Sequence, residues 1–372
     1  DDPGEMTVSV TASGLLRRLG QGQQALRSPM YRAAMRSDVV EAYWPMEDGK
    51  NAAQMASAMG GDVMLPTFTA GLTSDIDMAA YDEFDSSAAL PVFHRTGASA
   101  AIINAPDTGE IRLSIMVHVP EDGPPGEARV VGLRTTGTAA EWSMQTRTSG
   151  ARRLVGYDVN GAVIVDSGWY GPSTNGEHQM FGFHLRQNGT SIDWEFFRLA
   201  PEYSSGYGVV SGTLAGHRLG RPTTVLVGGA GDLGGTALGH LMVHSAQQRV
   251  DAEILDAFHA HLDEPAADRI VRLCAEEGVR VEIQGQPSRT ERCGPQGIDT
   301  LLNLLQSAAD ADGGILHEMR SLPGVAYRTR VSLYNPQPRL LLDAARGRIG
   351  DIVNPFAPVL DDQNVRTDVT VS

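Results

Sequence analysis

Between residues 39 and 245 the chain repeatedly alternates apolar and polar positions with a period of two, the signature of half-buried strands. The segments are "IRLSIMVHV" (111–119), "RVVGLRTT" (129–136), "EWSMQTRT" (141–148), "RRLVGYDVNGAVIVDSGW" (152–169), "HQMFGFHLRQNGTSIDWEFFRLA" (178–200), "TTVLVGG" (223–229) and "ALGHLMVHS" (237–245). Asn160-Gly161 and Asn188-Gly189 interrupt two of them and supply the positive φ that a tight hairpin needs. Short strands, dense turns and almost no helical periodicity predict an antiparallel sandwich.

The flanks read differently. Residues 5–20 alternate and then offer a short helical turn with Leu15, Leu16 and Leu19 on one face, while 21–38 read as a polar connector. From Asp251 the pattern predicts helices over "DAEILDAFHAHL" and "EPAADRIVRLCAEEGV", the second starting at Pro265 and ending at Gly278. Its apolar stripe is Ile270, Val271, Leu273 and Cys274. A short strand "VRVEIQG", a helix over "GIDTLLNLLQSAADADGG" and a hairpin over "ILHEMRSLPGVAYRTRVSL" complete a compact α+β module.

One stretch, "TTVLVGGAGDLGGTALGH" (223–240), raises a dinucleotide question, because Gly229, Gly231 and Gly234 fit G-x-G-x-x-G after an apolar run. That fingerprint requires a helix next. Here Leu238, His240, Met242 and His244 alternate with Ala237, Gly239, Leu241 and Val243, which is strand period. The glycines therefore read as a loop between two adjacent antiparallel strands, with no nucleotide bound.

Composition narrows the classes. A hydrophobic share of 41% and a charged share of 20% suit a soluble globular chain of two or three domains. No run approaches the roughly 20 apolar residues of a membrane span. The net charge of −15 argues against a sequence-independent grip on nucleic acid. The opening "DDPGEMTVSV" and the closing "RTDVTVS" suggest cuts in a longer polypeptide. Cys274 and Cys293 have no CxxC beside them; their spacing allows a disulfide, but one buried thiol and one loop thiol is the favoured reading over a disulfide or zinc.

Candidate chemistry is sparse. No Ser/His/Asp grouping, Walker loop or HExxH motif is visible, and an enzyme is not expected. Glu47-Asp48 in "YWPMEDG" resembles a carboxylate pair but reads more simply as a strand-ending turn. Asp75, Asp77, Asp82, Glu83 and Asp85 make an acidic loop, solvated by default, with a weak calcium site as the alternative and no other cofactor implied. His240 and His244 are too far apart along an extended strand to share one metal, and the "HAH" of 259–261 lacks a third ligand. Trp142, Trp169, Tyr170 and Trp194 are the candidates for stacking on a sugar ring, set against the usual role of strand aromatics as core.

"VVEAYWPMEDG", the alternating strands and the closing "TTVLVGGAG…ALGHLMVHS" resemble a laminin-G-like, concanavalin A-type jelly roll. Glycoside hydrolases of that fold carry a Glu-x-Asp-x-x-Glu type run; "DWEFF" (193–197) lacks its second glutamate. "VTASGLLRRLGQG" with "LRSPMYR", then "RIVRLCAEEGV", "GPQGIDTLLNLLQSAADADGGILHEMRSLPGVAYRTRVSLYN" and "PVLDDQNVRTDVTVS", resemble minor tail proteins of actinobacterial (Streptomyces-type) tailed phages. The resemblance implies a mixed fold, an all-β jelly-roll sandwich inserted between α+β tail-hub-like segments. Its divisions are a strand/helix segment at 1–38, the jelly roll at 39–248, a hub-like module at 249–345 and a connector at 346–372. It also implies a virion component of the distal tail that contacts other phage tail proteins, forms a homo-oligomer (a trimer favoured), and offers its lectin-like domain to host-surface glycan or neighbouring tail proteins. The competing reading is a carbohydrate-active or carbohydrate-binding protein on a concanavalin-like fold.

Overall fold

The structure, a computed structural model, describes residues 14–20, 23–67, 74–171, 175–199, 210–244 and 252–334. Two helices, α1 (Leu15–Gly20) and α2 (Pro29–Arg36), come first, followed by β1 (Val40–Trp44), β2 (Leu65–Thr67), β3 (Ile76–Tyr81), β4 (Leu90–Phe93) and β5 (Gly97–Ala101). Longer strands follow: β6 (Glu110–His118), β7 (Ala128–Thr135), β8 (Ala139–Thr146), β9 (Arg152–Asp158), β10 (Val163–Asp166), β11 (His178–Asn188) and β12 (Ser191–Leu199). Then come β13 (Val210–Ala215), β14 (Pro222–Val227) and β15 (Thr236–His244).

These strands form two antiparallel sheets packed face to face. The first has the order β13-β12-β11-β6-β15-β4-β3, with β1 also on β15; the second has the order β10-β9-β8-β7-β14-β5-β2. Alternation sends Ile111, Leu113, Ile115 and Val117 of β6 inward with Phe181, Phe183 and Leu185 of β11, where they meet Trp142 and Met144 of β8. The two Asn-Gly pairs turn hairpins as expected, with Gly161 at φ +80° and Gly189 at +59°.

The glycine-rich loop departs from its expected path. β14 lies in the second sheet and β15 in the first, so residues 228–235 cross between layers and do not link adjacent paired strands. Gly231 shows why glycine is needed there: at φ +85° any Cβ would fall 2.2 Å from the carbonyl oxygen of Glu127.

β15 departs as well. Its register with β6 shifts between Gly239 and Met242, and His240 takes φ +48°, so the strand bulges. The bulge reverses the alternation: Leu238 points into the sandwich together with Leu241 and Val243, while Met242 faces the opposite side. The uniform alternation predicted across 237–245 is thus corrected by one irregular residue.

The connector at 21–38 contains a helix that its polar composition concealed. Ser28 caps α2, its Oγ accepting from the Tyr31 N–H at 3.2 Å, and Pro29 opens the first turn. Met30, Ala33 and Ala34 then bury against Tyr43, Met116, Met180 and Met242 on the outer face of the first sheet. Helix α3 (Ala252–Phe258) joins them through Ile254, Ala257 and Phe258.

The remaining residues form α4 (Ala266–Glu276), β16 (Val281–Gln284), α5 (Leu301–Asp312), β17 (Ile315–Glu318), β18 (Val325–Arg328) and α6 (Arg330–Leu333). β18 lies between β16, to which it is parallel, and β17, to which it is antiparallel. Helices α4 and α5 cover this sheet with Ile270, Leu273, Leu304 and Leu305, and Leu15, Leu16 and Leu19 of α1 pack on the same cluster. Val271, expected in the apolar stripe, is 39% exposed, because the buried positions are 266, 267, 269, 270, 273 and 274. Residues 330–333 end as a helical turn instead of continuing the hairpin strand. Cys274 and Cys293 are both buried free thiols.

Arginines of α2 join the sandwich to this module. Arg32 pairs with Glu276 and, at 2.9 Å, with Glu277, while Arg36 pairs with Glu253 and, at 2.9 Å, with Glu276. Arg272 reaches Glu276 at 3.0 Å and Glu264 at 2.7 Å.

Candidate functional site

The outer face of the first sheet is divided in two by its own sequence. Toward one end Met116, Met180, Leu199 and Met242 are apolar and lie under α2 and α3. Toward the other end the outward positions turn polar and no helix among the described residues covers them. Cross-strand pairing aligns them in two rows: His244–Arg112–His184–Glu195–Ser211 and Glu110–Arg186–Asp193–Thr213.

The first row runs from interior to surface. His244 and Arg112 are buried, whereas Ser211 is exposed. Phe197 lies across Gly182, where a Cβ would meet its ring at 2.3 Å, and the Arg112 guanidinium sits 4.2 Å above that ring. Phe197 thus closes the apolar half and props the first cation of the polar half. Together the rows shape a groove of about 510 Å³ bordered also by Trp194 and Gly212.

Hydrogen bonds fix most of the groove's charges. His184 Nε2 lies 2.6 Å from Glu110 Oε1. Asp193 accepts from Asn188 Nδ2 at 3.0 Å and from Thr213 Oγ1 at 2.9 Å, with Arg186 3.5 Å away. The bonds from Asn188 and Thr213, in that order, hold the Asp193 carboxyl below the usual carboxylate range. That is the opposite of what a general acid needs. Burial first, and then the Arg112 charge, push His244 down to about 3, so it is neutral at physiological pH.

Chemically the groove offers donors (Arg186, Ser211) and acceptors (Glu195, Asp193 and the Thr213 hydroxyl oxygen, whose proton goes to Asp193) on strands about 4.8 Å apart. A ligand with closely spaced hydroxyls, each able to donate and accept, matches that spacing. Alternating patterning singled out β6, β11 and β12 but neither β13 nor the groove. The outward residues signal a site only once four strands and the helix cover are in place.

The aromatic candidates do not converge on one surface. Trp142 is 0% exposed within the sandwich core. Trp169 lies under the guanidinium groups of Arg147 and Arg153, at 4.8 and 4.4 Å, on the second sheet. Tyr170 is 47% exposed and meets Phe196 edge-on at 6.3 Å. Trp194 alone borders the groove, its ring held across Gly212 and against the core.

The other candidates have structural surroundings. Glu47 is buried and meets Ser87 Oγ at 3.2 Å, the Ala88 N–H at 2.8 Å and His240 Nε2 at 3.4 Å. Burial raises its pKa, but the hydrogen bond to and attraction by His240, with bonds from Ser28 and Ala88, bring it down to about 2. A serine, a histidine and a glutamate therefore do come together, which the sequence did not disclose. Ser87 and Glu47 share the same imidazole nitrogen, with Tyr43 on the other, and a catalytic triad requires opposite nitrogens. Asp75 spends its carboxylate on Arg95 and the Thr96 N–H, and Asp77 meets His94 at 3.4 Å. Among the described residues no group of three or more His, Cys, Asp or Glu side chains is arranged to hold a metal ion. No described helix is long and apolar enough to cross a membrane.

No family model matches the chain, and no curated protein matches it. Among solved structures it is similar to the binding domain of Paraclostridial Mosquitocidal Protein 1, with 9% identity and a TM-score of 0.38 over 61% of this chain and 53% of that one. Trypanosoma rangeli sialidase in complex with sialic acid gives 9% identity and a TM-score of 0.38, over 66% of this chain and 38% of that one. The T. cruzi calreticulin globular domain gives 11% and 0.40, over 60% and 94%. The chain thus spans about half the length of the first of these and less of the second. Likenesses at this level say nothing about chemistry.

Proposed function

We propose that this chain is a non-catalytic structural component of the distal tail of a tailed phage, and that its sandwich binds a polyhydroxylated ligand, a host-surface glycan, in the outer-face groove. The tail assignment rests on the sequence resemblance of the segments flanking the sandwich. The observation that carries the binding half is the double row ending in Glu195–Ser211 and Asp193–Thr213, open to solvent beside a face otherwise sealed by helices. In the particle the chain assembles with other tail proteins as a homo-oligomer, a trimer, through the flanking segments.

Two experiments test the halves separately. Glycan-array screening followed by calorimetry should find a ligand whose affinity falls at least tenfold in Glu195→Ala and Thr213→Val. Unchanged binding in both variants would discard the groove. Mass spectrometry and cross-linking of purified particles should place the chain in tails as a trimer; its absence from virions would end the tail assignment. A carbohydrate-active enzyme on this fold is the competing reading, because Asp193 and Glu195 share one face of one strand. Release of reducing sugar that stops on Glu195→Gln would establish it instead.

A further inference from the structure

At one end of the sandwich interior a cation is buried without adequate partners. Arg152 opens β9 and points inward with Leu154. It is 3% exposed, its Cζ lies 4.1 Å above the Phe181 ring, and its Nη1 donates to the Gly150 carbonyl. The atoms Nε and Nη2 are buried and have no hydrogen-bond partner among the described residues.

Its electrostatic setting makes this costly. Phe181 pairs across strands with Arg198, placing a second guanidinium on the same side of the sheet. Burial and then the Arg198 charge weaken Arg152's hold on its proton, down to about 9, and Glu177 offsets this only in part. Glu177 itself accepts from Gln179 Nε2 at 3.2 Å. A buried guanidinium under the influence of another one destabilises a fold unless an anion compensates it. Thr146, the cross-strand partner of Arg152, also keeps a buried hydroxyl without a hydrogen-bond partner among the described residues.

We propose that this end of the sandwich is an anion site, and that Arg152 takes a carboxylate through the edge formed by Nε and Nη2. That edge presents two parallel N–H groups at the spacing of two carboxylate oxygens, the bidentate geometry that distinguishes arginine from lysine. The carbonyl of Gly150 fixes the third nitrogen and Phe181 fixes the plane, so the fork is oriented before the anion arrives. The site is independent of the groove, which lies on the opposite face of the first sheet.

The test is thermal unfolding of the full chain in sodium acetate against sodium chloride at equal ionic strength. Acetate should raise the melting temperature by about 2–4 °C at saturation. Arg152→Met should abolish the acetate effect and, in chloride, melt no lower than the native chain, since it removes an unpaired buried charge. Arg152→Lys, which keeps the charge and loses the fork, should also lose the acetate effect and serves if the Met variant does not fold. Equal melting of the native chain in both salts, or a rise in sulfate without one in acetate, would overturn the assignment. So would an acetate effect that survives either substitution.

Discussion

His240 Nδ1 lies 2.6 Å from the hydroxyl of Tyr43, at the place where β15 exchanges one neighbour for another. Below the bulge, Thr236 and Ala237 pair with β4; above it, Leu241 to His244 pair with β1. The imidazole closes the gap, reaching Tyr43 on β1 through one nitrogen and Ser87, just before β4, at 2.7 Å through the other. Tyr43→Phe should cost about 1–2 kcal/mol in urea unfolding, and His240→Leu, which strands buried Glu47, about 3 kcal/mol or more.

Glu47 gives that network a pH signature. Its folded pKa, about 2, lies below its ordinary value of 4.5. The stabilisation is therefore complete above the unfolded value and is lost as pH falls through the window down to about 2. Urea midpoints measured from pH 6 to 2 should fall more steeply for the native chain than for Glu47→Gln.

Histidines whose charged form burial disfavours act in a neighbouring window. His244 is pushed down to about 3, and burial also lowers His118 and His178, whose rings lie 5.3 Å apart. Their folded values lie below the unfolded value of 6.5, so the unfolded chain takes up protons first. Stability is full above pH 6.5 and declines as pH falls below it. His244→Gln should flatten this decline, read as the urea midpoint at pH 7 and pH 5.

The glycine loop makes a negative prediction. A phosphate cradle needs N–H groups converging at the start of a helix, and residues 228–235 lead into β15 instead. Calorimetry with NAD, NADP and ATP should show no specific heat. Gly231→Ala should cost at least about 1–2 kcal/mol with no ligand present, because positive φ and the Glu127 carbonyl both oppose a side chain.

Glu276 is the shared acceptor of Arg32, Arg36 and Arg272 and is 6% exposed. Glu276→Gln should speed amide exchange in α2 and α4 by roughly tenfold or more, leaving β7 and β8 unchanged. Equal acceleration throughout would mean that the Glu276 cluster supports global stability and not this joint.

Period-two alternation located β6 to β12, β14 and β15 but not β1 to β5 or β13, and Asn160-Gly161 and Asn188-Gly189 located two hairpins, because side-chain direction in a strand and positive φ in a turn are local properties. Thr300 and Gly313 likewise mark the ends of α5 by their own capping geometry. Helix α2 was missed, because eight residues within a polar stretch gave no periodicity strong enough to reveal it, although Ser28-Pro29 is a local capping pair. Other features arise from contacts between residues far apart in the chain. The reversal at His240 depends on two strands competing for one edge, and the groove depends on Arg112, His184, Glu195 and Ser211 arriving from four strands. Arg152 reads in sequence as one more arginine in "ARRLVGY"; only packing against Phe181 in the sandwich interior, within reach of the Arg198 charge, made it a buried charge. Local geometry is encoded residue by residue, whereas burial and electrostatic partnership exist only between elements that folding brings together.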